Sequence, residues 1–239
     1  MKNLMLFVHP SGDFLPEHKT SVKIAIDNSL DLGWKASDIV LATNFPYEYK
    51  GVRSLLVSSD NYDADISPWA PIINVIVELF ERGLIEKGEL YWYHDTDVYQ
   101  LCGITESEIN LEKADIGLVE WSNGHISASS IFFKESAKDI FGWIKEIMYK
   151  YRIDEEPAIM KLLTNNPLPG SENVHKRVKK LNISYDFEMG YINQHYHLSS
   201  KPVKTAHFHF TKDRLLDCAM YGKNRLKKVI LPERLIKIS

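Results

Sequence analysis

Residues 89–101, ELYWYHDTDVYQL, constrain the fold of this chain more than any other stretch. The run is aromatic and apolar as far as Tyr93 and ends abruptly in two carboxylates, Asp95 and Asp97, one residue apart. A segment holding Tyr91, Trp92 and Tyr93 reads as a buried strand, and buried paired carboxylates are costly unless a cation or hydrogen-bond donors compensate them. Side chains alternate across a strand, so the pair at its C-terminal end is expected on one side, close enough to share one divalent cation. Hard oxygen ligands with positions left open for phosphate oxygens suit Mg²⁺ or Mn²⁺. The stretch therefore reads as a strand that presents a metal ion to a nucleoside diphosphate. A capping or turn role for the two aspartates is the simpler alternative.

With 239 residues and 44% hydrophobic content, the chain can bury a sizeable core and is expected to form one domain over residues 1–239. The first apolar run, residues 4–8, is too short for a signal-peptide core or a membrane span, so the cytoplasm is the expected compartment. Cys102 and Cys218 lack metal-type spacing and read as two thiols rather than a disulfide. The net charge of −3 hides an asymmetry: residues 170–239 carry 14 Lys and Arg against 6 Asp and Glu, and form a basic C-terminal elaboration. The runs HKRVKK (175–180) and KNRLKK (223–228) read as solvated helix faces or as the seat of an anionic partner, such as a glycan, a membrane surface or a nucleic acid.

Strand-like and helical patterns alternate along the first half. Residues 4–9, 38–44 and 54–58 read as strands; residues 17–32 and 68–83 read as helices, the second opened by Pro68 and closed by Gly83. Strands joined by helices imply right-handed crossovers, hence an α/β fold with a mostly parallel central sheet and helices on both faces. Ligands collect at the carboxyl ends of strands in such sheets, where Asp95 and Asp97 are expected. Residues 115–121 and 127–134 read as two further strands joined by a turn, followed by a helix with Ser136 as its expected N-cap. Residues 154–163, DEEPAIMKLL, begin another helix, with Pro157 tolerated in its first turn.

Asp154, Glu155 and Glu156 suit a helix start, where free amides stabilise negative charge. The sharper reading gives Asp154 or Glu155 a catalytic role, taking the proton of an attacking hydroxyl or orienting it. The pairs His195 with His197 and His207 with His209 are spaced to present both imidazoles on one strand face. A four-histidine zinc site is one reading. The preferred one gives a histidine of the second pair to the cation of Asp95 and Asp97, with Lys212 and Arg214 meeting a diphosphate.

Taken in order, these segments resemble the metal-dependent glycosyltransferases of the GT-A type, in particular the glycogenin and galactosyltransferase-like branch with its viral and bacterial relatives. The resemblance rests on LYWYHDTDVY as the Asp-x-Asp strand, on SASSIFFK as a small-residue strand, on DEEPAIMKLL as an acidic helix start and on AHFHFTK as a late metal-binding histidine. It covers most of residues 1–212. It implies a GT-A fold, a nucleoside diphosphate sugar as donor (a UDP-sugar foremost), a hydroxyl acceptor, and Mn²⁺ or Mg²⁺ held by Asp95, Asp97 and either His207 or His209. Asp95 would also lie near the nucleotide ribose, and the loop from Val8 through His9 and Pro10 would hold base and ribose. The family's late histidine is often followed by Gly and Lys-Pro-Trp, which HFHFTKDR lacks; this departure leaves open which of His207 and His209 is meant and whether Lys212 replaces the phosphate-binding lysine.

Two other enzyme classes fit parts of this pattern. A nucleotidyltransferase shares the layout but begins with a Gly-rich, Arg- or Lys-bearing phosphate loop, whereas VHPSGDFL has one Gly and no Arg. A histidine-rich metallohydrolase would use His195, His197, His207 and His209.

Overall fold

The computed structural model describes residues 1–66, 71–121, 124–165, 168–189 and 196–208. In chain order its principal elements are β1 (Lys2–Phe7), α1 (Pro16–Asp31), β2 (Ile39–Thr43), β3 (Glu48–Tyr49), β4 (Val52–Leu56), α2 (Ile72–Glu81), β5 (Tyr91–His94) and β6 (Val98–Gln100). They continue with α3 (Glu106–Ile109), β7 (Ile116–Glu120), β8 (Ile126–Phe133), α4 (Lys138–Tyr151), α5 (Glu155–Asn165), β9 (Val178–Leu181), β10 (Phe187–Glu188) and β11 (Thr205–His207). The main sheet has eight strands in the order β3-β4-β2-β1-β5-β8-β7-β9, and a second sheet has the order β10-β11-β6.

The parallel arrangement inferred from the crossovers is found in the block β4, β2, β1 and β5. Beyond it β8 runs antiparallel to both β5 and β7. Only residues 121–125 separate β7 from β8, too few for the crossover that parallel strands need, so β8 returns antiparallel to β7. The sheet then ends with β9 parallel to β7, so part of the basic C-terminal region supplies an edge strand of the main sheet.

Alternation along each strand divides the core between the two faces of the sheet. Leu4, Leu6, Tyr91 and Tyr93 pack toward one face with Ile76 and Leu79 of α2, Ile144 of α4 and Ile159 of α5. Met5 and Leu41 pack toward the other with Val22 and Ile26 of α1, and Trp92 and Phe132 with Ile109, Leu111 and Leu181. Helices thus cover both faces. Gly83, with φ of 66°, ends α2 as expected, and its N–H donates to the Phe80 carbonyl at 3.1 Å.

Two expectations are corrected here. Ser136 does not cap a helix: it lies in a short 3₁₀ turn, Ala137 is the N-cap of α4, and the Ser136 hydroxyl donates to Asp115 instead. The run HKRVKK is committed largely to the fold itself. Arg177 bonds Asp115 at 2.5 Å, Asp139 at 2.6 Å and the Ser136 carbonyl at 2.7 Å. Lys179 donates to the carbonyls of Ile109 and Asn110 at the end of α3, and Lys180 pairs with Glu120 at 2.6 Å. Three of its cations therefore answer acceptors within the chain, because β9 lies beside the acidic end of β7; the run KNRLKK lies outside the described residues. Among the described residues, no helix is long and apolar enough to cross a membrane.

Candidate metal centre

β5 ends at His94, and Asp95 and Asp97 belong to the tight turn that leads into β6. The Val98 N–H donates to the Asp95 carbonyl at 3.1 Å and closes this turn. The two carboxylates therefore meet through turn geometry and not through strand alternation, which corrects the sequence expectation. Main-chain bonds fix the turn from both sides: the Asp95 N–H donates to Ser129 of β8 at 3.0 Å, and the Phe208 N–H donates to the Asp97 carbonyl at 3.1 Å.

The third member comes from the second sheet. β11 pairs antiparallel with β6, with His207 opposite Val98, which carries the imidazole to the acidic turn. Asp95, Asp97 and His207 each offer a ligand atom, and the three atoms lie within 4.8 Å of one another. Asp97 and His207 are buried, at 8% and 4% exposure, while Asp95 is partly open. His207 Nε2 lies 3.5 Å from Asp97, and Nδ1 lies 3.2 Å from Asp186, which has no exposed surface. Asp186 in turn accepts from the Ser129 hydroxyl at 2.7 Å, and the Ser129 and Ser127 hydroxyls are 2.7 Å apart.

The electrostatics are those of a buried, anion-rich site. Burial, and then the charge of Asp97, push the Asp95 carboxyl up to about 8, against the pull of His207 and of the Tyr93 hydroxyl that donates to it. Burial works against a charged His207, yet Asp186 and Asp97 hold it well above its ordinary value. Burial raises Asp186 as well, but His207 and the hydroxyls of Ser127 and Ser129 bring it below its ordinary value. Glu188 of β10, in register with His207, is 2% exposed, and neither of its carboxylate oxygens has a hydrogen-bond partner among the described residues. Burial raises it, opposed by His207. His94 is kept neutral, lowered to about 4 by burial, with ring nitrogens 2.8 Å from the Asp95 carbonyl and from the Asn3 side chain.

Several of the other sequence-derived positions lie within the described residues. Val8, His9 and Pro10 follow β1, whose C-terminal end shares an edge of the sheet with β5. His9 is clamped by Asn44: its N–H donates to the Asn44 amide oxygen at 3.1 Å, and the Asn44 NH₂ donates to the His9 carbonyl at 2.9 Å. The His9 ring meets Tyr62 edge-on at 5.8 Å. At the start of α5, Asp154 is exposed and Glu155 half-buried, Glu155 being one of the charges that raise Tyr93. Glu156 fastens α5 to β8, accepting from the Ala128 N–H at 2.9 Å with His125 Nε2 at 2.8 Å.

His197 is exposed on a turn and stands on no strand face, which corrects the expectation of a paired HYH face; His195, His209, Lys212 and Arg214 lie outside the described residues. Sequence reasoning passed over Asp186 and Glu188. Their signal was the alternation Asp-Phe-Glu across residues 186–188, the same period-two pattern as Asp-Thr-Asp and His-Phe-His.

No family model matches the chain, and no curated protein matches it by sequence. Solved structures do. The galactosyltransferase LgtC, in complex with donor and acceptor sugar analogues, superposes over 100% of both chains with a TM-score of 0.58 at 12% identity. A glycosyltransferase involved in glycosylation of the major capsid of PBCV-1 aligns over 91% of this chain and 99% of its own, with a TM-score of 0.57 at 11% identity. Mouse xyloside xylosyltransferase 1 aligns over 88% of this chain and 98% of its own, with a TM-score of 0.54 at 13% identity. The chain has the GT-A fold of the glycosyltransferases.

Proposed function

We propose that this protein is a divalent-metal-dependent glycosyltransferase that moves a sugar from a nucleoside diphosphate sugar, a UDP-sugar foremost, to a hydroxyl acceptor. The observation that carries the reading is the convergence of Asp95, Asp97 and His207 within 4.8 Å at the carboxyl end of a central strand. Two carboxylate oxygens and one imidazole form a donor set suited to Mn²⁺ or Mg²⁺, and the partly open Asp95 leaves a side for phosphate oxygens. When bound, the ion supplies charge stabilisation for the departing diphosphate.

The chain's own groups do the rest. Asp95, Asp97 and His207 hold the ion, and the clamped loop from Val8 through His9 and Pro10 receives base and ribose. Glu155, half-buried at the start of α5, orients the acceptor hydroxyl or takes its proton, with exposed Asp154 at the rim. Lys212 meets the diphosphate, and the basic C-terminal region favours an anionic acceptor such as a glycan or a nucleic acid. The cytoplasm, in keeping with only two cysteines, is the proposed compartment.

A thermal-shift panel of nucleoside diphosphates and their sugars, with and without Mn²⁺, tests the reading. A ligand that binds only the folded state raises the melting temperature, so a UDP-sugar with Mn²⁺ is expected to shift it and each alone to shift it less. No shift with any nucleotide sugar would remove the proposal.

A further inference from the structure

His207 lies between two carboxylates, one facing each ring nitrogen. Nε2 faces Asp97 within the ligand cluster, and Nδ1 faces Asp186 at 3.2 Å. A histidine that binds a metal through one nitrogen keeps a proton on the other, and the acceptor of that proton decides tautomer and ring plane. Asp186 has no exposed surface, so water does not share its charge. A carboxylate buried this fully is expensive unless its partners are specific. Here the partners are the imidazole on one oxygen and the Ser129 hydroxyl on the other, with Ser127 behind it.

Resting on the metal reading above and deepening it, we propose that Asp186 is the positioning carboxylate of the centre. It accepts the Nδ1 proton of His207, so that Nε2 turns its lone pair toward the space between Asp95 and Asp97. Ser129 and Ser127 hold Asp186 in that orientation, which gives the small-residue strand β8 a second duty besides pairing with β5. Asp186 touches neither donor nor acceptor; it acts through His207 alone.

The test is Mn²⁺ binding to the full-length protein, followed by the electron paramagnetic resonance of the free ion, with metal-free melting curves recorded alongside. Loss of a carboxylate behind a metal-bound histidine typically costs about 10–100-fold in metal affinity. Asp186→Ala is expected to fall in that range and Asp186→Asn, which keeps an acceptor oxygen but no charge, near its lower end. Asp186→Ala should add nothing in a His207→Ala background, since the group it positions is gone.

Equal affinity of Asp186→Ala and wild type overturns this inference and leaves the metal reading standing. Full additivity in the double variant also overturns it, because a merely structural role weakens binding whether or not the imidazole is present. Should Asp186→Ala fail to fold, wild-type affinity in Asp186→Asn overturns it. A wild-type protein that takes up no Mn²⁺ overturns both readings together.

Discussion

The Phe208 main-chain N–H donates to the carbonyl of Asp97 at 3.1 Å, which ties the residue after β11 to the turn after β5. The bond sets His207 beside the Asp97 carboxylate, with Nε2 3.5 Å away. Acidic turn and imidazole are held by backbone, so their separation does not depend on a bound ion.

Removing one side chain of the cluster tests this directly. Asp97→Ala is expected to lower metal-dependent transfer by at least about 10²-fold, the scale of losing one preorganised electrostatic group. The Mn²⁺-dependent part of the thermal shift should vanish with it. Transfer near the wild-type rate would take Asp97 out of the site.

Metal uptake should depend on pH in a stated direction. Asp95 is raised to about 8, so it carries its proton at neutrality in the metal-free protein and must release it when an ion binds. His207, held well above its ordinary value, must also give up a proton to bind through Nε2, so apparent Mn²⁺ affinity is expected to rise with pH through neutrality by up to about tenfold per unit for each proton released. Calorimetry in two buffers of different ionisation heat reads the released proton at pH 7; a binding heat independent of buffer contradicts the assignment.

Glu188 gives a stability prediction. Its folded-state value is raised above the ordinary 4.5, so the folded state holds the proton more tightly than the unfolded chain. The destabilisation is absent below 4.5 and grows as pH climbs through the folded value. Glu188→Gln should therefore raise the metal-free melting temperature at pH 7, by about 2–4 °C for each kcal/mol relieved in a chain of this size. The gain should disappear near pH 4, and a gain of equal size at both pH values would rule out titration as its source.

Arg177 separates fold from site. Its guanidinium joins Asp115, Asp139 and the Ser136 carbonyl and bonds no member of the Asp95, Asp97 and His207 cluster. Arg177→Ala is expected to cost about 1–3 kcal/mol, the range for hydrogen bonds to charged groups in a partly exposed setting. Denaturant unfolding measures it, while Mn²⁺ affinity of the folded variant should stay at the wild-type level.

Much of the layout was legible because local pattern and tertiary outcome agreed. The aromatic run into Asp95 is a buried central strand, and the apolar spacing before Gly83 is a helix, because each sequence period matches the face that burial demands. What could not be read was set by non-local pairing. The reversal at β8 depends on how strands arrange beyond β5, and the turn at Asp95 is defined by bonds to Ser129 and Phe208. The Asp-Phe-Glu alternation marks residues 186–188 only faintly, since an acidic residue just ahead of a two-residue strand gains meaning only when His207 is laid beside it.

The imidazole of this centre arrives by way of β11, the last strand described, whereas both aspartates are in place before the midpoint of the chain. During synthesis the acidic turn is complete long before its partner leaves the ribosome. The cluster of Asp95, Asp97 and His207 is thus completed only once β11 has been made, and a chain truncated ahead of residue 205 would lack the imidazole.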